Sequence, residues 1–219
     1  MAPPPIPADP REWRPQVPRP STRARAIVDP IIEPLWEGVR VLVHADGPRV
    51  QVIDDAGYDV AREFAAIADA LPQAIVAAQA VVDGWLTNQA TRSGEGLALV
   101  PMEAPRGMNI FRATKPGVAP PVPHDRPDMV AFVGVDLLVL DGQVLLDLPL
   151  LERKRLLESI IVGSELVRTS PFVRPPLERW LPSWKAVGFT GAVLKASNSR
   201  YVPGALADDW TVAQPLGRR

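Results

Sequence analysis

The sequence contains no cysteine and only two histidines, His44 and His124. The lack of cysteine excludes disulfide bonds, thiolate zinc sites and cysteine nucleophiles, and so few histidines disfavour a histidine-based metal site. No apolar run approaches the ~20 residues that cross a bilayer, and the proline-rich N-terminus lacks the apolar region of a signal peptide. We therefore expect a cytoplasmic protein with no metal site and no membrane contact.

An excess of either charge is also missing, because the 219 residues carry a net charge of -1 and the isoelectric point is about 6.1. No global field draws such a chain to nucleic acid, so any DNA contact would depend on a local patch. Hydrophobic residues make up 47% of the chain. That content is enough for the core of one large domain or two small ones.

Proline, by contrast, is abundant, with 26 residues, and it is densest before residue 31. Proline fixes φ and removes a backbone donor, which excludes regular helix and central strand in that segment. We predict an extended, partly disordered arm over residues 1–30, a folded domain over 31–214 and a short tail over 215–219. The arm is either a solvated tail or, through its interleaved arginines, a basic arm that contacts phosphates.

Most of the folded domain has the short apolar runs of β-strands. Residues 39–44 and 50–53 flank Asp46-Gly47, which is a strong hairpin signal. His44, on the first of these strands, is predicted to be a surface or hydrogen-bonded histidine. A long loop is expected over residues 101–129, where no periodicity is found. Further strands are predicted at residues 74–82, 97–100, 130–140, 143–145, 166–173, 191–195 and 210–214.

Helical periodicity indicates three helices. Pro72 is expected to end the first, over residues 60–71, and Pro182 to break the third, over residues 177–187. The many hairpin-like strands around these few helices indicate an antiparallel α+β fold rather than a βαβ array. The inner face of the first helix would consist of Val60, Phe64, Ile67 and Leu71.

The second helix is predicted to begin near Pro149, with Asp147 as its cap. Its residues 152–155 are predicted to form a solvated face. Asp136 and Asp141 are interpreted as turn or cap residues rather than ligands. The inner face of this helix would consist of Leu150, Leu151, Lys154, Leu157 and Ile161.

A block of unusual composition precedes the first predicted hairpin: Glu33-Pro34-Leu35-Trp36-Glu37-Gly38-Val39-Arg40. It resembles the active-site motif Lys-x-Asp-Gly-x-Arg of ATP-dependent DNA ligases and related nucleotidyltransferases. Leu35 stands where that motif has its nucleophilic lysine, and no lysine precedes Lys115. A lysine amine has the lone pair that attacks the α-phosphate of ATP, whereas the leucine side chain has none.

Further blocks resemble the other ligase motifs in the same order, and together they cover residues 31–214. The resemblance is strongest to the adenylation domains of bacterial end-joining ligases. It implies two antiparallel sheets flanked by helices, with the nucleotide between them. The chain ends just after the last block, so we expect no C-terminal OB domain. The blocks lie at residues 54–57, 82–86, 135–142, 147–157, 190–204 and 210–214.

Several positions depart from the residue that the family pattern implies. Asp55 replaces an arginine, Trp85 a glutamate on the ribose side, and Val135 an aromatic that stacks on adenine. Thr190 replaces a metal-holding glutamate, and two phosphate-binding lysines are replaced by Val212 and Gln214. Of the polar set, Glu37, Arg40, Asp83 and Lys195 match. The predicted vestigial cleft comprises Leu35, Glu37, Arg40, Trp85, Val135, Thr190, Lys195, Val212 and Gln214.

The replacements share a direction, because most of them are larger or more apolar than a triphosphate site tolerates. We interpret Trp36 and Trp85 as core aromatics. Lys195 is either a remnant in a salt bridge or an anion contact. The hypothesis is that side chains now fill the nucleotide cleft.

The first functional hypothesis is a catalytically degenerate, ligase-like adenylation domain (a pseudoenzyme) that acts by binding DNA or a DNA-repair protein, without a cofactor. The alternative is an active ATP-dependent DNA ligase or nucleotidyltransferase that uses a non-standard nucleophile and requires ATP and Mg. A third possibility is a structural or regulatory partner of an active ligase.

Overall fold

The structure, a computed structural model, describes residues 7–20, 27–89, 130–186 and 188–213. Within these ranges the chain forms two β-sheets and a few short helices. The strands are β1 (Val17–Pro20), β2 (Pro30–Pro34), β3 (Val39–Asp46), β4 (Arg49–Asp54), β5 (Gln79–Thr87), β6 (Ala131–Leu140), β7 (Gln143–Val144), β8 (Val167–Thr169), β9 (Ala192–Ala196) and β10 (Leu206–Ala213). The α-helices are α1 (Ala65–Ala74), α2 (Leu150–Ile160) and α3 (Leu181–Ala186), with 3-10 turns at Pro10–Glu12 and Leu177–Arg179.

The two sheets differ in size. The small sheet has the order β1-β10-β9-β2, and the large sheet has the order β4-β3-β5-β6-β7 with β8 beside β6. Most neighbouring strands are antiparallel, whereas β1 pairs with β10 and β8 pairs with β6 in parallel. The predicted α+β class with two sheets is confirmed, and the two parallel pairs make both sheets mixed.

The large sheet is buried on both faces, and its strands show why. In β3, Val41 and Val43 pack with Ile67 of α1 and Leu157 of α2 on the outer face. Leu42 points the other way, into a core that it shares with residues of the small sheet. This alternation follows from the two-residue period of a strand. Along β3, the space between the sheets therefore receives every second side chain.

Helix α1 begins later and ends later than the sequence suggests. It spans Ala65–Ala74 with Pro72 inside it, so the expectation that Pro72 ends the helix is wrong. Proline removes only its own N–H from the ladder, and Ile75 still donates to the Leu71 carbonyl at 2.9 Å. The predicted apolar face is confirmed in part: Ile67 and Leu71 are buried against the large sheet, whereas Val60 and Phe64 pack partly buried against it from the segment before the helix.

Helix α2 begins at Leu150, as predicted, but Asp147 does not cap it. The N–H groups of Leu150 and Leu151 donate instead to the carbonyls of Ser199 and Ser197, each at 3.0 Å. Asp147 lies in solvent, 3.2 Å from Arg200. Backbone from a distant loop thus satisfies the first helical donors, and no local sequence signal reports it.

The charged run of α2 is not a solvated face, so that prediction is wrong. Glu152 and Arg155 are exposed, but Arg153 and Lys154 are buried. Asp136 is not a turn residue either: it lies in the middle of β6, fully buried, and pairs with Arg153. Buried charges persist only where a partner neutralises them, and each of these has one.

The predicted turns fare better. β3 and β4 form the expected hairpin around Asp46-Gly47, with Gly47 at φ 56. Asp141 is a turn residue with φ 47, and its carboxylate accepts the N–H groups of Ala78 and Gln79. Such short polar side chains tolerate the left-handed region and bond to nearby backbone.

Other element boundaries shift. The run predicted as a strand from residue 74 is divided between the end of α1 and β5, and the strand predicted at 166–173 is shortened to β8. The third helix is split into a 3-10 turn and α3, where Pro182 occupies the first turn, a position that tolerates proline. The predictions for residues 97–100 and 101–129 lie outside the described residues. None of the helices in the described ranges is both long and apolar enough to cross a bilayer.

The N-terminal segment from residue 7 to 20 packs against the rest of the domain. β1 is an edge strand, the place in a sheet that tolerates Pro18 and Pro20. Trp13 is 3% exposed and joins the core between the two sheets. The domain boundary at residue 31 stays a prediction.

Candidate functional site

A pocket opens between the two sheets. It encloses about 330 Å³, part of which is open to solvent. Both sheets contribute, since the lining side chains come from β1, β2, β9 and β10 on one side and from β3, β5 and β6 on the other. Of the predicted cleft, Leu35, Arg40, Trp85, Val135 and Lys195 line it. The other lining residues are Pro18, Glu33, Pro34, Trp36, Val193 and Trp210.

Leu35 follows directly after β2 and is half-buried. Its N–H donates to the carbonyl of Gly191 at 3.0 Å. Its side chain lies against the same glycine, because a Cβ on Gly191 would come within 3.3 Å of the Leu35 Cδ2. The position that the motif reserves for a nucleophile therefore presents only methyl groups to the pocket.

Glu33, two residues earlier on β2, is the hub of a buried ionic cluster. Its Oε1 accepts from Lys154 Nζ at 2.6 Å, and its Oε2 accepts from Lys195 Nζ at 2.8 Å. Burial by itself raises the pKa of Glu33, but the charges of Lys154 and Lys195 outweigh it and hold the pKa below its ordinary value. Both carboxylate oxygens are thus occupied by ammonium groups.

Lys195 lies deep in the pocket wall. Its ammonium group sits 4.3 Å from the centre of the Trp210 ring as well as beside Glu33. Burial, aided by the neighbouring charge of Lys154, lowers the pKa of Lys195, while Glu33 opposes that effect. Of the two interpretations of Lys195, the structure displays the salt bridge.

Arg40 and Asp83 form a second buried pair. The guanidinium donates from Nε and Nη2 to the two oxygens of Asp83, each at 2.7 Å, and packs 4.9 Å from the Trp85 ring centre. Tyr201 also donates its hydroxyl to Asp83 Oδ2 at 2.8 Å. Burial and the adjacent Asp83 raise the pKa of Tyr201 well above its ordinary value, so the phenol stays a donor.

Arg153 and Asp136 form the third pair, which joins α2 to β6. Arg153 donates to both oxygens of Asp136, at 2.8 and 2.9 Å, and to the carbonyl of Ser199 at 3.0 Å. Such bidentate pairs are strong and geometrically specific. We call the buried ionic residues together the cleft floor: Glu33, Arg40, Asp83, Asp136, Arg153, Lys154 and Lys195.

The outer edge of the cleft is different. Glu37 and Thr190 are exposed and lie outside the pocket lining, and the Thr190 hydroxyl donates to Glu37 Oε1 at 2.5 Å. Val212 lies on β10 opposite Val193, half-buried and also outside the lining. Trp36 is a core residue, as interpreted, and Trp85 is half-buried, lining the pocket while it packs against the same core cluster. We call Leu35, Glu37, Trp85, Thr190 and Val212 the cleft rim; Gln214 lies outside the described residues.

Sequence reasoning missed several residues of this site. Glu33 lies in the motif block but was assigned no role, and Lys154 was assigned no partner. A signal for Lys154 existed, because it recurs with Leu150 and Leu157 on the apolar face of α2, where an unpaired charge is costly. Pro18 and Tyr201 had no such signal. Their positions depend on long-range pairing of the N-terminal segment.

The described residues of the cleft lack the free groups that a triphosphate and Mg²⁺ would contact. Leu35 offers no nucleophile, and each cation of the floor is already paired with a carboxylate. The same pairs occupy the carboxylates that could hold Mg²⁺. Within the described ranges, no group of three His, Asp or Glu side chains is placed to hold a metal ion.

Two facing mixed sheets, with a pocket between them and helices outside, define a ligase-type nucleotidyltransferase scaffold. The chain belongs to the family of the ATP-dependent DNA ligase domain, whose model matches residues 24–211. The resemblance inferred from the motifs is therefore confirmed. The family is ATP-dependent.

Similar proteins agree with this assignment. A DNA ligase of Methanothrix thermoacetophila is 28% identical over 194 residues, covering 84% of this chain and 32% of that protein. The multifunctional non-homologous end joining DNA repair protein LigD of Mycobacterium tuberculosis is 27% identical over 175 residues, covering 80% of this chain and 20% of that protein. The crystal structure of the ligase domain from M. tuberculosis LigD has a TM-score of 0.64 at 23% identity, covering 94% of this chain and 60% of that one. The chain thus spans a third or less of the length of these two relatives.

Proposed function

We propose that this domain is a ligase-type adenylation domain that does not adenylate itself and acts by binding a partner in DNA repair. One observation carries the proposal: Leu35 occupies the nucleophile position, above a floor whose cations are all engaged. Phosphoryl transfer depends on free cations and on a metal ion to neutralise developing charge. The described part of this cleft offers no unpaired cation and no group of residues placed to hold a metal ion.

Binding of a triphosphate would also disrupt the floor. For Lys195 to contact a phosphate, it would have to leave Glu33 or share it, and both groups are buried. Separating a buried ion pair costs about 3–5 kcal/mol. The ion pairs that stabilise the cleft therefore oppose nucleotide entry.

The decisive experiment is incubation of the full chain with radiolabelled ATP and Mg²⁺, followed by intact-mass analysis. We expect no AMP adduct. The companion variant Leu35→Lys restores an amine at the motif position without touching the floor, and we expect no adduct there either. An adduct on the unaltered chain would overturn the proposal. An adduct on the variant alone would mean that the unaltered domain does not adenylate itself and that Leu35 is the only cause of this loss.

A thermal shift measurement with Mg-ATP tests binding without chemistry. A ligand that binds only the folded state raises the melting temperature. We expect no shift at millimolar Mg-ATP for the unaltered chain. A clear shift without an adduct would mean that the cleft still takes nucleotide, which would contradict the proposal that its ion pairs oppose nucleotide entry but not the proposed loss of adenylation.

A repair protein fits the partner role better than DNA does. The net charge is -1, and several surface arginines, Arg19, Arg174 and Arg200, are paired with aspartates. The relatives named for non-homologous end joining point to that process as the setting. A gel shift with nicked duplex at two salt concentrations separates the cases, since phosphate contacts weaken steeply with salt. Tight binding that falls steeply between 50 and 200 mM salt would favour DNA instead.

A further inference from the structure

The N-terminal strap, defined as residues 7–20, crosses the edge of the cleft and is anchored on both sheets. Its Trp13 packs in the core between the sheets with Leu42 of the large sheet and Trp210 of the small sheet. The Trp13 indole also donates back to the carbonyl of Pro7 at 2.8 Å, which folds the segment over this anchor. A tryptophan 3% exposed is a strong fixing point for a short segment.

Backbone pairing fixes the strap to the small sheet. The Arg14 carbonyl accepts from Gly204 N–H at 2.7 Å, and Val17 N–H donates to the Ala205 carbonyl at 3.0 Å. The parallel ladder of β1 and β10 continues from there. On the other side, the Arg14 guanidinium covers Gly57, at the turn after β4 of the large sheet, where a Cβ would clash with it. The strap therefore bridges the two walls of the cleft.

A chain of hydrogen bonds joins the strap to the cleft floor. Gln16 N–H donates to the Tyr201 hydroxyl at 2.9 Å, and that hydroxyl donates to Asp83, which holds Arg40. The Gln16 side-chain oxygen in turn accepts from the N–H of Val202. Gln16 is 2% exposed. Buried polar groups joined in this way resist displacement one at a time.

Pro18 places the strap in the pocket itself, because it lines the same space as Lys195 and Trp85. We propose that the strap is a removable wall of the cleft, whose release from β10 controls access to the pocket and to Lys195. Edge strands open more easily than central strands, and the register of β1 against β10 shifts between Pro18 and Arg19, which interrupts the pairing of this one. The proposal does not depend on the absence of adenylation, since a wall can gate a pocket with or without chemistry.

The lack of cysteine makes a clean test possible. Val17 and Leu206 are register partners on β1 and β10, and both are about half exposed. Neighbouring strands lie within the Cα separation that a disulfide requires. The double variant Val17→Cys/Leu206→Cys, in the full chain, would lock the strap when oxidised and release it when reduced. Mass analysis verifies the state of the bond.

Access to the pocket is read from lysine acetylation by acetic anhydride, followed by peptide mass spectrometry. Lys185 is exposed and serves as the internal reference for Lys195. We expect oxidation to lower the Lys195 rate, relative to Lys185, by at least about three-fold. The variant Gln16→Ala, which removes one tie but no core side chain, should raise that rate by a similar factor. Arg11→Gln, at an exposed strap position, should leave it unchanged.

Equal Lys195 rates in the oxidised, reduced and Gln16→Ala proteins would overturn the proposal and would make the strap a permanent edge strand. If the disulfide does not form, the comparison of the Lys195 acetylation rates in the Gln16→Ala and Arg11→Gln variants decides the question by itself. A failure here leaves the ATP experiment untouched, because acetylation needs no nucleotide. A positive ATP experiment would likewise leave the gating result standing.

Discussion

The cleft floor and the cleft rim lie within one pocket region but follow different rules. On the floor, Arg40, Asp83 and Lys195 match the ligase pattern and are held in ion pairs; Asp83 and Lys195 are buried, and the Arg40 side chain is 13% exposed. On the rim, Leu35, Trp85, Thr190 and Val212 depart from the pattern and are at least partly exposed. These floor residues also connect strands. Two residues do not follow the division, because Glu37 matches the pattern but is exposed on the rim, and Val135 departs from it but is 1% exposed.

This difference separates two roles that an active site combines. A floor residue that ties β2, β3, β5, β6, β9 or α2 together is needed for the fold, whatever the chemistry. A rim residue that only contacts substrate has no structural role to retain it. The scaffold can therefore persist after its reactive groups are replaced. The comparison makes a quantitative claim, which is that floor substitutions cost far more stability than rim substitutions.

The largest effect is expected for Glu33→Gln. The amide keeps the shape but removes the charge between Lys154 and Lys195, so two buried ammonium groups lose their counter-ion. Breaking a buried pair in this way costs about 3–5 kcal/mol. Denaturant unfolding at pH 7 measures the loss.

Glu152→Gln is the matched control. It breaks the Glu152–Arg155 pair on the same helix as Lys154, where the two side chains are 51% and 63% exposed. Exposed pairs contribute about 0–1 kcal/mol. If the two substitutions cost the same, the floor is not a structural tie and the contrast with the rim fails.

A smaller loss, about 3 kcal/mol, is expected for Gly84→Ala, at the upper end of overpacking effects. Gly84 follows Asp83 on β5, and a Cβ there would lie 2.3 Å from the Phe132 ring and 2.6 Å from the Val133 carbonyl. The measurement is again denaturant unfolding. Gly163→Ala is the control, since a Cβ at that position meets nothing within 4 Å. A stable Gly84→Ala protein would show that the floor tolerates added volume.

Local patterns in the sequence predict those parts of this fold that depend on neighbours along the chain. The alternation in β3 and the apolar face of α1 follow from side-chain period alone, and the Asp46-Gly47 hairpin follows from turn chemistry. The resemblance to the ligase motifs, rather than any local pattern, implied that Leu35 and Lys195 share a cleft, and both line the pocket. The strand, helix and turn inferences need no information from a distant segment.

The predictions that were wrong concern residues whose partners lie in distant segments of the chain. Lys154 is buried because Glu33, 121 positions away, receives it. α2 needs no cap from Asp147 because the carbonyls of Ser197 and Ser199 take its first donors. A single sequence shows the charge of a residue but not its partner. Charged residues of the floor are therefore predicted, from sequence alone, to be exposed to solvent. Buried ion pairs are therefore the part of the site that only three-dimensional structure supplies.

His44 on β3 is a partly buried histidine outside the cleft floor, with Arg11, Asp9 and Asp59 as its charged neighbours. It shares its face of β3 with Arg40 and is half-buried, and its Nε2 has no hydrogen-bond partner among the described residues. Burial, with Arg11 nearby, lowers its pKa from 6.5 to about 4, against the opposing charges of Asp9 and Asp59. Between these two pH values, His44 is protonated in the unfolded chain but neutral in the folded chain. Stability is therefore lost as the pH falls from about 6.5 towards 4.

The expected size is about 2 kcal/mol between pH 7 and pH 4.5, below the limit that the whole pKa difference sets. His44→Leu removes this contribution while the carboxylates of the floor still titrate. Denaturant unfolding of both proteins at the two pH values isolates it as the difference of their slopes. Equal slopes would mean that His44 titrates normally in the folded state.

The smallest effect is expected on the rim, for Thr190→Val. This change keeps the shape of the side chain but removes the hydroxyl that donates to Glu37. Both residues are exposed, so water replaces the lost bond, and the net loss should be below about 1 kcal/mol. Glu37→Gln, which keeps an acceptor oxygen for Thr190, should cost still less. A loss comparable with that of Glu33→Gln would make the rim as structural as the floor, and the proposed division between a retained scaffold and a replaceable reactive edge would then be wrong.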